Sequence, residues 1–531
     1  MKKLFTIFLI AAVLCITGCK HGTQTDDNTV STTVNINQQG EVYLVKLNTT
    51  SNTVYKDNTG YIKKVTRSAQ DEVNTSDTDS FIRNLNHSIA KQLVQQSGAR
   101  VSSVSIKSDT ITLTETKGSE DTFSSYIDEK KIGTVTAKLE YIGTHCLIYS
   151  DKENEFTEES VLEDLGKNFD DVYDEVIKIN GNPVYDSYVA DYFVPCTNKI
   201  TILVSDLFGD ADPTIPVEKL SGTVGYFYSA DLLNDTYLSQ TYNSGITSSN
   251  PSYIHSNGRE MFYIDSLFLE KAPGLVTSTL VHEFNHMINF VIKTMNPMVK
   301  NQLVINKAKV CDVWFTEMLA MTTEDMFQEY LGLEDKDTSK SRLPYFGMIY
   351  NYGFKNWGNE KVDQLAMYAN TYAYGAFLAR NFGGVELIKE IAQNDYVDET
   401  AITKALQKQY PSFTYKDPVT NVTKAIDFMY TLQKFVNCII FTESNSGEYS
   451  LNHEAGFKNG SKIGFRAIDM KMTIAYQGKN YQLPLVFKNG KDGQIDIYSY
   501  GFSVHRIGTN ISSFTLTVPK DSRLEYYYVI K

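Results

Sequence analysis

Apolar positions fall into two periods along this chain, and the change between them marks its organisation. A three-to-four-residue period predicts helices over residues 81–94 and 158–179, the second carried by Val161, Leu165, Phe169, Val172 and Val176. β-prone runs predict strands over 41–47, 101–115, 138–150, 199–207, 222–228 and 261–264. Helical spacing then returns around 279–290 and over 313–331, where Gly332 supplies the stop. It continues through 362–443 with a break at Gly383-Gly384. Beyond 444 short alternating runs resume, at 467–476, 481–487, 494–499, 514–518 and 524–529, separated by Gly, Asn and Lys-Asp turns. Strands leading into helices predict an α+β fold, with a β-rich upper and a helical lower subdomain in its main unit.

At 531 residues the chain can hold several units. The expected division is a leader over 1–18, a polar tether over 19–40, a small mixed or β-rich module over 41–133, the main domain over 134–443 and a β-sandwich over 444–531. Lys2 and Lys3 followed by an apolar run over 4–14 read as an export signal. Ile16-Thr17-Gly18-Cys19 resembles the lipobox of bacterial lipoproteins. That resemblance implies an exported protein held at a membrane or cell surface by a lipid on Cys19.

Charge narrows the partners. A formal net charge of −13, more negative once the leader's two lysines are gone, argues against nucleic acid and against electrostatic binding to anionic lipid. No later segment reaches 18 uninterrupted apolar residues, so no membrane-spanning helix is expected. Cys146, Cys196, Cys311 and Cys438 allow three disulfide pairings, and their wide spacing equally fits buried free thiols. None has the close spacing of a structural zinc site.

The candidate chemistry lies in Thr279-Leu-Val-His282-Glu283-Phe-Asn-His286-Met-Ile-Asn-Phe290. Histidines four apart project from one side of a helix, so both imidazoles can meet one ion, while Leu280, Val281, Phe284, Met287 and Ile288 give the helix an apolar face. Glu283 stands beside the first histidine, within reach of a water but not required as a ligand. Two histidines leave zinc one protein ligand short of a catalytic set, and Glu317 in Trp314-Phe-Thr-Glu317-Met-Leu-Ala320-Met-Thr-Thr-Glu324 is the candidate.

This Trp-x-x-Glu-x-x-Ala-x-x-x-Glu spacing after a His-Glu-x-x-His helix resembles the gluzincins, the peptidase clan of thermolysin and aminopeptidase N. Gly222-Thr-Val-Gly-Tyr-Phe-Tyr228, Ser256-Asn-Gly258, Tyr263-Ile-Asp265 and the histidine segment together resemble more narrowly the hyicolysin family of secreted bacterial neutral zinc metallopeptidases, over about 138–443. The resemblance implies a thermolysin-like domain holding one zinc ion per chain through His282, His286 and Glu317, with Glu283 as general base and a peptide or protein as substrate. By the same likeness Tyr372, three residues before Gly375, corresponds to the tyrosine that steadies the transition state in the aminopeptidase N type. Relatives of thermolysin place an acid four residues after the third ligand to orient a histidine. Met321 stands there in this chain, and Glu324 is either its replacement or a solvated residue.

The element that anchors a substrate amino terminus in aminopeptidase N is absent, Gly258-Arg259-Glu260-Met261 being only superficially similar, so an endopeptidase is expected. Its substrate is expected to add as a strand along 261–265, since strand addition satisfies a peptide backbone without demanding a sequence. Two other readings stand beside this one: a surface lipoprotein that binds host proteins on a peptidase scaffold, and zinc hydrolysis of a non-peptide amide. A pure scaffold has no need of Glu283.

Overall fold

A computed structural model of the chain describes residues 29–50, 55–57, 77–96, 112–128, 131–153, 158–184, 192–247, 250, 253–297, 310–357, 363–417, 421–443, 449–457, 460–476, 479–488, 495–519 and 522–531. The expectations of a leader and of a lipid-bearing Cys19 lie outside these residues, as does most of the strand expected over 101–115.

The central element is a six-stranded mixed sheet, in spatial order Glu120–Asp128, Lys131–Ile142, Cys146–Asp151, Ile200–Ser205, Met261–Asp265 and Gly225–Phe227. The first three strands form an antiparallel meander. Helix Glu159–Asn180 then carries the chain to Ile200–Ser205, which runs parallel to Cys146–Asp151. Every residue of Ile200–Ser205 and of Met261–Asp265 is buried, in keeping with their places between other strands. Gly225–Phe227 closes the sheet antiparallel to Met261–Asp265 and forms its edge.

Three helices build the lower half: Pro273–Phe290 (the histidine helix), Val313–Leu331 (the glutamate helix) and Gln364–Phe382 (the tyrosine helix). Proline at the first turn of the histidine helix costs no hydrogen bond. Gly332 ends the glutamate helix in the left-handed region, at φ 68°. Phe169 ties the layers together, its ring 5.7 Å from Phe262 of the sheet and 5.1 Å from Phe284 of the histidine helix. The strand-then-helix order gives the α+β class expected. Among the described residues no helix is long and apolar enough to cross a membrane.

The ends of the chain depart from expectation. The described strands of 41–133 are divided among different sheets. Glu41–Leu47 lies between Phe502–Thr509 and Glu525–Ile530 in a four-stranded sheet, while Glu120–Asp128 belongs to the central sheet. The expected tether contains a strand, Thr29–Asn35, paired along its length with Ser513–Pro519. Val34 and Ile36 pack with Val42 and Tyr528 in a small apolar cluster. The two ends hold each other through pairings that no local pattern reveals. The terminal β region is accordingly made with strands from both ends of the chain. Cys146, Cys196, Cys311 and Cys438 are all free and buried, so no disulfide pairing applies.

Candidate metal centre

Val276, Leu280, Phe284 and Met287 bury one side of the histidine helix and fix its rotation. His282 and His286 lie one turn apart on the cleft side, ring centroids 4.6 Å apart and Nε2 atoms 2.9 Å apart. Buried Trp314, Phe315, Met318 and Met321 hold the glutamate helix against the same core. This places Glu317 Oε2 3.5 Å from His282 Nε2, and Oε1 3.5 Å from His286 Nε2. One ligand atom from each of the three residues can be chosen so that all lie within 4.8 Å of one another. Glu317 Oε2 is buried without any hydrogen-bond partner. An orphaned, buried carboxylate oxygen beside an imidazole nitrogen, with a second imidazole next to the same carboxylate, is costly unless a cation shares it, and this donor set suits zinc.

Behind the ligands stands Glu324, seven residues and two turns after Glu317. Its Oε1 lies 2.6 Å from His282 Nδ1, and its Oε2 accepts from Ser278 Oγ at 2.9 Å and from the Ser339 amide at 3.1 Å. Of the two alternatives left open by the sequence, the structure realises the orienting one. Met321, at the position where thermolysin relatives carry the acid, is wholly buried in the core. With Nδ1–H donated to Glu324, the Nε2 lone pair of His282 is directed at the ion site. Glu324→Ala is therefore expected to weaken zinc binding roughly 10–100-fold with His282, His286 and Glu317 intact, measured by competition with a fluorescent chelator.

Charge follows the same geometry. Burial disfavours the His282 cation, yet the Glu317 and Glu324 carboxylates beside its two ring nitrogens outweigh it and hold the imidazole well above its ordinary range. Burial likewise works against the Glu317 carboxylate, but His286, His282 and Arg83 hold its carboxyl far below the usual value. In the ion-free chain the raised imidazole contributes stability below pH ~6.5 that is lost as pH rises through its folded value. The depressed carboxyl contributes stability above pH ~4.5 that is lost on acidification through its folded value. A metal ion binds neutral imidazole, so loading this candidate site would expel a proton from His282. Zinc affinity is expected to climb about tenfold per pH unit below the folded value and then level off, and a flat profile between pH 6 and 8 would contradict it.

Glu283, buried beside the ligands, accepts at Oε2 from the Phe227 amide at 2.8 Å, so the edge strand positions the candidate base. A cavity of about 200 Å³ opens in front of the site, bounded by His282, Glu283, His286 and Glu317 below and by Gly225–Phe227 above. The structure does not bring Tyr372 to it. That hydroxyl donates to Asp325 at 3.0 Å inside a buried network in which Arg380 also binds Asp325, at 2.8 and 3.1 Å. Burial and the Asp325 carboxylate push the Tyr372 phenol well above its ordinary value. One turn earlier on the same helix, Tyr368 is the tyrosine of this helix that lines the cavity.

Arg83 completes the wall. Its guanidinium donates to Glu317 Oε1 at 3.1 Å and to the Tyr368 hydroxyl, and lies 4.7 Å over the Tyr368 ring. No signal in the sequence joins Arg83 to a residue 234 positions away. Nor does the sheet leave 261–265 open for a substrate, because Met261–Asp265 is paired on both sides. The open edge is Gly225–Phe227.

No family model matches this chain, and no curated protein matches it.

Proposed function

We propose that this chain is a zinc-dependent endopeptidase of the gluzincin type, similar to the hyicolysin family and exported to a cell surface through Cys19. The observation that carries the proposal is the buried Glu317 carboxylate beside both imidazoles, its Oε2 without a hydrogen-bond partner, with an oriented second carboxylate, Glu283, next to His282 on the histidine helix. His282, His286 and Glu317 would hold the ion. When bound, zinc acts as a Lewis acid that makes water acidic enough to be a nucleophile near neutral pH and polarises a substrate carbonyl.

The chain's own groups do the rest. Glu283 accepts the proton of the attacking water at its carboxylate and delivers it to the departing amine, so the same oxygen serves as base and then as acid. The Phe227 amide keeps that carboxylate aimed, because its donated bond fixes one oxygen. Glu324 keeps His282 in one tautomer throughout. Negative charge developing on the carbonyl oxygen needs a donor on the cavity wall, and we assign that role to the Tyr368 hydroxyl, which lines it.

Two tests follow. An internally quenched peptide library should be cleaved within chains rather than from their ends, with activity lost to a chelator and restored by zinc; cleavage indifferent to chelator would refute the proposal. Tyr368→Phe should lower turnover roughly a hundred- to a thousandfold, while Tyr372→Phe should leave it within about twofold. The reverse order would return the role to Tyr372.

A further inference from the structure

Helix Asp77–Gln96 makes contacts that a passive wall does not need. Ile82, Ile89, Ala90 and Leu93 bury its apolar side, and Ile82, Arg83, Asn86, His87 and Ala90 line the cavity in front of the ligands. Arg83 and Asn86 lie three positions apart, on one helical face.

Asn86 spans the sheet edge. Its Nδ2 donates to Phe227 O at 2.7 Å, and its Oδ1 accepts from the Ser229 amide at 2.9 Å and from Ser229 Oγ at 2.9 Å. A residue of a strand added at this edge would likewise donate its N–H to the Phe227 carbonyl, so Asn86 takes a backbone acceptor that such a strand would use, while its oxygen caps the short 3-10 helix Ser229–Leu232 just beyond the edge strand. Arg83, meanwhile, occupies Glu317 Oε1 and the Tyr368 hydroxyl, its guanidinium 4.8 Å from the Trp357 ring centre. Because Arg83 takes Oε1, Oε2 is left for an ion, so the helix closes the cleft without dismantling the metal site.

We infer that helix Asp77–Gln96 is a resident occupant of the substrate cleft that keeps the chain latent, with Asn86 taking a backbone acceptor that a substrate strand would use and Arg83 covering the catalytic side. The docking rests on the contacts alone; that its consequence is latency rests on the peptidase reading. A substrate gains access only in the fraction of molecules whose helix has left, so the apparent activity is reduced by that fraction. The natural trigger is an extended peptide or protein segment competing for the edge strand, or loss of the helix's own anchors.

The experiment uses the zinc-loaded full chain, Asn86→Ala and the double variant Arg83→Ala/Asn86→Ala, following hydrogen exchange of 77–96 and 225–229 together with hydrolysis of a quenched peptide. Asn86→Ala decides by itself, because Asn86 touches no proposed ligand, and unchanged exchange in Ile200–Ser205 certifies the fold. Exchange in both segments should rise roughly tenfold or more, and kcat/KM should rise with it, given the usual worth of the bonds removed. Unchanged exchange in 77–96 would overturn the inference, and so would a freed helix accompanied by slower cleavage, since the helix would then be part of the working site. A freed helix with no cleavage by any form would uphold the docked occupant and refute the peptidase reading instead.

Discussion

Glu283→Gln yields a folded chain that still binds zinc but turns over peptide roughly a hundred- to ten-thousandfold more slowly, the range in which a positioned acid–base group contributes. The substitution is close to isosteric. A carboxamide oxygen can still accept from the Phe227 amide, so the edge strand, the histidine helix and the cavity keep their shape. What is lost is the ability to take up a proton at neutral pH. Substrate binding does not depend on that, so KM should change little while kcat collapses, as expected for a group acting only in the transition state. Steady-state kinetics beside zinc content separates the cases. Retained turnover in a zinc-loaded variant would remove Glu283 from the mechanism.

Glu317→Ala should empty the site. It deletes one ligand of three, so the loss of zinc affinity should exceed the roughly 10–100-fold expected for an outer partner such as Glu324. It also strips Arg83 of a carboxylate in a setting where both side chains are almost entirely buried, at 9% and 3% exposure. Removing one member of a buried pair typically costs about 3–5 kcal/mol, so a lower urea midpoint should accompany the lost metal. Glu317→Gln separates the two effects, since its amide oxygen can still accept from Arg83 while being a poor ligand. Zinc retained by Glu317→Ala after dialysis against a mild chelator would exclude the residue from the site.

The candidate histidine pair was legible because it is local, whereas Glu317 came from the resemblance of its segment to the gluzincins. A four-residue interval on one apolar-faced helix fixes two imidazoles with respect to each other, and Gly332 marks the end of the helix that carries the third ligand. Glu324 was half legible: its seven-residue interval from Glu317 puts it on the same helical face, but only the packing of Ser278 and Ser339 around it decides that it turns inward. Tyr372 shows the limit. The tyrosine helix is buried on nearly every side, so its sequence carries no period to say which face meets the cavity, and a choice one turn too late looks equally good.

Long-range pairing was the other blind spot. Phe502–Thr509 alternates apolar and polar residues only over Phe502-Ser503-Val504-His505, too short a stretch to mark its full length. Its partner, Glu41–Leu47, lies some 450 positions away, between two strands from the opposite end of the chain. Likewise the β-formers of Met261–Asp265 made it look the natural platform for a substrate strand. Gly225–Phe227, the true edge, is only three residues long.

Zinc K-edge absorption spectroscopy on the purified full-length protein, with the metal quantified per chain, bears most directly on the centre. One zinc per chain in a shell of two imidazole nitrogens and carboxylate oxygen, lost in Glu317→Ala, is the predicted result. A chain that takes up no stoichiometric zinc, or binds it through thiolate sulfur, would contradict it.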